Sequence, residues 1–158
     1  MFTAVSGGKA RLGLQLSIKR AEDTRTAGQQ VSTLLGQFNE QAVGPPAGVS
    51  YVLVITAPGS DEILGGLRAV SYWGSFYITD VVVPEAARGQ DLGSELMREA
   101  EREARARGCA HMWLDTFAFQ ARPFYERLGF EIFGQLDGPA PYFPRYFLQK
   151  PLEPPAGS

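Results

Sequence analysis

Residues 49–83 constrain the fold most tightly, because three β-type runs are joined there by turns with room only to reverse the backbone. Val49 to Ala57 and Ile63 to Tyr72 flank Pro58-Gly59-Ser60-Asp61, and Phe76 to Val83 follows Trp73-Gly74-Ser75. Connections this short join antiparallel neighbours, since a parallel crossover needs a dozen or more residues. The stretch is therefore read as a three-stranded antiparallel meander. Pro84 ends its third strand, because proline has no N–H to give to a ladder.

The elements around the meander follow from periodicity. Leu14, Leu16 and Ile18 alternate with polar residues and predict a half-buried strand. Thr24 suits the N-cap of a following helix, whose apolar set is Ala27, Val31, Leu34, Leu35 and Phe38. Gly44-Pro45-Pro46-Ala47-Gly48 ends that helix. Beyond the meander, Leu92, Leu96, Met97, Ala100 and Ala104 give the buried stripe of a helix from about Asp91 to Arg107. The charges from Arg98 to Arg107 alternate in sign and read as its solvated face. Met112-Trp113-Leu114 predicts a strand, and about Gln120 to Leu128 a short helix. Phe130 to Leu136 and Arg145 to Lys150 close the chain as strands. The order β-α-β-β-β-α-β-α-β-β describes an α/β (α+β) domain over residues 14–152. Its mixed, mostly antiparallel sheet has about six or seven strands and is flanked by helices. Residues 1–13 read as a flexible lead-in and 153–158 as a disordered tail.

Composition narrows the function. With 158 residues the chain can bury a core of its own, and fifteen basic against seventeen acidic residues leave no basic stripe for nucleic acid. A single cysteine, Cys109, and a single histidine, His111, cannot build a disulfide framework or a Cys/His metal site. No GxSxG is present to supply a hydrolase nucleophile. No apolar run reaches membrane length and the N-terminus lacks a signal-peptide pattern, so a cytoplasmic location is the expectation. A homodimer is compatible with open sheet edges.

The junction after the meander carries the chemistry. A strand ending at Val83 leads through Arg88 and Gly89 into a helix whose first turn holds Gly93. The first N–H groups of a helix lack intrahelical partners and carry about half a positive charge, so they stabilise an anion such as a pyrophosphate. The stretch from Ile78 to Leu96, with Arg88-Gly89-Gln90-Asp91-Leu92-Gly93 at its centre, resembles the acetyl-CoA signature of the GNAT superfamily of N-acetyltransferases. Phe124-Tyr125-Glu126-Arg127-Leu128-Gly129-Phe130 is similar to the second hallmark of that superfamily.

The resemblance implies acetyl-CoA as co-substrate, a primary amine of a small molecule as acceptor, and no metal. It implies that the N–H groups of Gln90, Asp91, Leu92, Gly93 and Ser94 hold the pyrophosphate, with Arg88 and Gly89 alongside. The backbone of Val81, Val82 and Val83 would pair with the pantetheine arm. The strands at 76–83 and 110–117 would splay apart around the thioester. Asp91 departs from the signature, standing where a glycine is usual.

Aminolysis of a thioester needs a base for the amine and an acid for the leaving thiolate. Tyr125 stands where the superfamily commonly has the acid, although core packing is its other reading. Asp80 is the first candidate base, placed by alternation on one face with Ile78 and Val82, and Asp115 is the second. Either could instead be a structural carboxylate or neutralise a cationic substrate. The amide usual ahead of the second hallmark falls near Ala118, and Gln120 is the nearest one. Tyr72, Trp73, Phe76, Tyr77, Phe117, Phe119, Tyr142 and Phe143 are candidate walls of an acceptor pocket. A catalytically silent acyl-CoA-binding regulator and a protein N-acetyltransferase are the rival readings.

Overall fold

The computed structural model describes residues 17–45 and 48–152. Leu14 and Leu16 of the expected first strand, the lead-in and the tail lie outside the described residues, and residues 17–21 form no regular element. The chain divides into two units between Gly44 and Pro45. The first holds helix α1 (Thr24–Val43). Its N-cap is Asp23 rather than Thr24, because the Asp23 carboxylate accepts a 3.0 Å bond from the Thr26 N–H. At the other end the Gly44 N–H donates to the Glu40 carbonyl at 2.9 Å.

The second unit is built on the meander: β1 (Val49–Thr56), β2 (Ile63–Tyr72) and β3 (Ser75–Val82). Trp73 and Gly74 both take positive φ, 45° and 76°, as a two-residue hairpin turn matched to strand twist requires. After a 3₁₀ turn at Glu85–Ala87 come α2 (Leu92–Ala106), β4 (His111–Phe117), α3 (Arg122–Arg127), β5 (Glu131–Leu136) and β6 (Arg145–Pro151). The helix α3 starts later than the expected Gln120, because the Gln120 side chain accepts a 2.8 Å bond from the Phe117 N–H and holds a turn instead.

These six strands form one sheet in the order β1-β2-β3-β4-β6-β5, antiparallel except for β3 beside β4. The helix α2 buries Leu96, Met97, Ala100 and Ala104 against one face, where Leu67, Ala69, Phe76, Ile78, Met112 and Leu114 complete the core. Its charged run is not all solvated, as the alternation of signs had suggested. Lys150 donates to Glu101 at 2.6 Å, and Arg107 donates at 2.8 Å both to the Val49 carbonyl and to the Ser71 hydroxyl. Those contacts fasten α2 to the sheet.

Two irregularities interrupt the sheet at β3. First, β3 and β4 pair only where Ser75, Phe76 and Tyr77 face His111, Met112 and Trp113, and beyond these they diverge. Second, β3 carries a bulge: Arg68 pairs with Asp80 and Ala69 with Ile78, leaving Thr79 as the inserted residue. An inserted residue reverses the alternation of faces. Ile78, Asp80 and Val82 therefore do not share a face as strict alternation predicted. Val81 and Val83 pack against the core with Ile78, while Asp80 and Val82 turn outward.

Candidate functional site

The divergence of β3 and β4 opens a cleft of about 940 Å³. One wall is β3 from Ile78 onward, the other is Leu114, Asp115 and Thr116 of β4, and the start of α2 and the side of α3 close its ends. Of the residues singled out from the sequence, Asp80, Val81, Val82, Val83, Arg88, Gly89, Asp91, Leu92, Gly93, Ser94, Asp115 and Tyr125 all border it. Gln90 does not: its N–H turns back to the Ala87 carbonyl at 3.4 Å and its side chain toward Ala86.

At the start of α2 the chain presents a set of open donors. The first intrahelical bond is Glu95 N–H to the Asp91 carbonyl at 3.0 Å, and Arg88 N–H is taken by Glu85. The N–H groups of Gly89, Asp91, Leu92, Gly93 and Ser94 have no acceptor among the described residues. Gly89 thus offers an open N–H where Gln90 does not. Asp91 adopts φ 60°, the left-handed region that favours glycine and that aspartate tolerates better than most residues. Its carboxylate turns along the helix to Arg98, 2.9 Å away, and that bond, then one from Ser94, holds it below the usual carboxylate range.

Gly93 couples this helix start to the second segment of interest. A Cβ at Gly93 would lie 3.3 Å from Phe124 Cζ and 3.5 Å from Val83 Cγ2, so the missing side chain is what admits the Phe124 ring. Next to Phe124, Tyr125 packs its ring edge against Phe124 and Phe130. Its hydroxyl has no hydrogen-bond partner, and among the described residues no buried side-chain oxygen lacks one, so the hydroxyl meets the cleft. Burial raises the Tyr125 phenol above its ordinary value and keeps it protonated at neutral pH.

The two carboxylates differ in setting. The Asp80 side chain is 53% exposed, accepts from Thr79 Oγ1 at 2.7 Å and pairs with Arg68 Nε at 2.7 Å. Those bonds, Thr79 first and Arg68 second, hold its carboxyl below the usual range. The Asp115 side chain is only 13% exposed, and both of its oxygens are engaged. Oδ1 accepts from the Tyr77 hydroxyl at 3.0 Å and Oδ2 from Arg145 at 2.7 Å. Burial, then the bond to Asp115, raises the Tyr77 phenol and keeps it a donor.

Of the eight candidate pocket aromatics only Phe119 borders the cleft. Phe76 is wholly core, Tyr77 stacks on Trp113 at 3.9 Å, and Phe117 lies behind Phe119. Thr79 and Arg127, which lie within the two matching stretches but carry no role there, also border the cleft. A polar pair, Thr79-Asp80, inside an apolar strand was the available signal for the bulge. Gln120 offers no free carbonyl, since its Oε1 accepts from both Thr116 and Phe117. His111 bonds Ser75 at 3.2 Å, and no three His, Cys, Asp or Glu side chains converge on a metal-sized space among the described residues.

The sheet is thus mostly antiparallel and split between its one parallel pair of strands, with a donor-lined helix start at the split. The model of the Acetyltransferase (GNAT) family matches residues 19–130, and the chain belongs to that family. An acetyltransferase of Agrobacterium fabrum is 42% identical over 85 residues, 53% of this chain and 62% of the relative. The chain thus spans less than two thirds of that protein. The blasticidin-S acetyltransferase of Streptomyces morookaense is 34% identical over 92 residues, 58% of this chain and 68% of the relative. A crystal structure from Agrobacterium tumefaciens superposes with a TM-score of 0.78 at 28% identity, covering 88% of this chain and 100% of the other.

Proposed function

We infer that the protein transfers an acetyl group from acetyl-CoA directly to a primary amine of a small molecule. The observation that carries this reading is the row of open N–H groups at Gly89 and Asp91 to Ser94, set beside a strand edge left unpaired after Tyr77. Five backbone donors at a helix start suit a pyrophosphate, with the Arg88 side chain as an added cation. A strand edge without a neighbour suits an amide-bearing arm, which would pair along Val81, Val82 and Val83 as an added strand. The likeness to a blasticidin-S acetyltransferase supports a small-molecule acceptor.

Within this reading the cleft divides the acid and base roles between its walls. Tyr125 donates its hydroxyl proton to the departing sulfur and regains it from solvent. Asp80 is the better placed of the two carboxylates to accept the amine proton, through a water, because it is exposed and Asp115 already spends both oxygens. Its lowered value makes it a weak base, so it acts on an amine already poised to deprotonate. Asp115 anchors Tyr77 and Arg145.

The experiment is free-thiol release from acetyl-CoA against a panel of primary amines, with the acetylated product identified by mass. Amine-dependent release supports the reading. Tight CoA binding without release on any amine would favour a silent acyl-CoA-binding regulator instead.

A further inference from the structure

Phe119 is 64% exposed although it borders the cleft, and its ring lies at 14° to that of Phe117 with centroids 5.6 Å apart. A large flat side chain held open in a cleft by a stacked partner is a ready surface for another flat group. Its side of the sheet is set by β4. Met112, Leu114 and Thr116 face the core under α2, and Trp113, Asp115 and Phe117 alternate onto the other face. Phe119, in the turn after β4, stacks on Phe117 of that second face. Asp115 is spent on Tyr77 and Arg145, but both bonds to Asp80 fall on Oδ2, which leaves Oδ1 in the same cleft to meet a cation. The protein itself shows which cation suits these rings, for the Arg145 guanidinium lies 4.9 Å from the centre of Phe117.

We propose that Phe119 is a specificity-determining residue, selecting acceptor amines that carry a flat delocalised cation, the simplest being a guanidinium. The flat group stacks on the outer face of Phe119 while the free amine reaches the thioester between Asp80 and Tyr125. This inference rests on the acetyl-transfer reading.

The test compares 4-guanidinobutylamine with butane-1,4-diamine, which match in chain length and charge and differ in the flat group. Wild type should show a kcat/KM about fivefold higher for the guanidino amine. Phe119→Leu should erase that ratio, and Phe119→Trp should keep or raise it, with the acetyl-CoA KM unchanged in both. Equal kcat/KM for the two amines in wild type would overturn the proposal. So would a Phe119→Leu effect that falls on the acetyl-CoA KM, since the ring would then serve the co-substrate. Thiol release with other amines but neither of these also overturns it and leaves the reaction standing. Absence of release with every amine counts against the reaction itself, and the inference falls with it.

Discussion

Tyr125 pairs a partly buried ring with a hydroxyl open to the cleft, and its raised phenol stays a proton donor through the neutral range. Tyr125→Phe keeps the packing against Phe124 and Phe130 and removes only the donor. It should lower kcat about 100-fold and leave the acetyl-CoA KM within about twofold. Steady-state thiol release checks this, and an unchanged kcat would remove Tyr125 from the chemistry. Asp91 is the other decisive residue. Its backbone sits at φ 60° and its carboxylate on Arg98. Asp91→Gly removes one negative charge from the proposed anion site and frees Arg98, so CoA should bind about two- to fivefold tighter. Asp91→Ala makes the same charge change but meets the left-handed penalty of about 1–2 kcal/mol. Calorimetric titration and melting curves of the two variants separate charge from backbone. Equal melting temperatures would contradict the backbone account.

The elements meet at Gly93. A methyl there would press Phe124 Cζ at 3.3 Å, a contact that a small shift of the ring relieves, whereas a long side chain has no such relief. Gly93→Leu should cost about 1–3 kcal/mol by overpacking and should weaken CoA binding by moving α2 off α3. Gly93→Ala should fall below that range. Denaturant unfolding of both variants measures it, and a Leu variant as stable as wild type would show that α2 and α3 do not lock there. The same elements show what a sequence discloses. The meander was legible because Pro58-Gly59 and Trp73-Gly74 leave no alternative to reversal, and α2 because its stripe holds the helical period along its whole length. The bulge was not, since Val81-Val82-Val83 reads equally well in either phase and only the pairing with Arg68 and Ala69 sets it. Gln120 continued the helical pattern of its neighbours, and its cap on Phe117 is a contact that periodicity does not encode. The open donors were legible as a segment but not by atom. The exchange of Gln90 for Gly89 depends on which N–H the 3₁₀ turn consumes.

Across the molecule, carboxylates fasten the sheet and helix surfaces, and several titrate low. Asp80 and Asp91 are held below their ordinary values by hydrogen bonds from Thr79 and Arg68, and from Arg98. At Glu101 burial opposes ionisation, but the bonds from Lys150 and Arg105 outweigh it. A folded value below the unfolded one means that the native state favours the ionised form. The stability so gained is fully present above the unfolded value and is lost as pH falls through the folded one. The melting temperature should therefore hold between about pH 8 and 6 and drop below about pH 4.5. Glu101→Gln should flatten part of that drop, and a wild-type melting temperature constant to about pH 3 would contradict the assignment.

The central claim is that the gap between β3 and β4 is the acetyl-CoA site, and a crystal structure with CoA tests it most directly. The pyrophosphate should sit on the N–H groups of Gly89 and Asp91 to Ser94. The pantetheine arm should lie along Val81 to Val83, and the sulfur should fall within hydrogen-bond reach of the Tyr125 hydroxyl. CoA bound elsewhere, or a pyrophosphate that leaves those N–H groups unpaired, would contradict it.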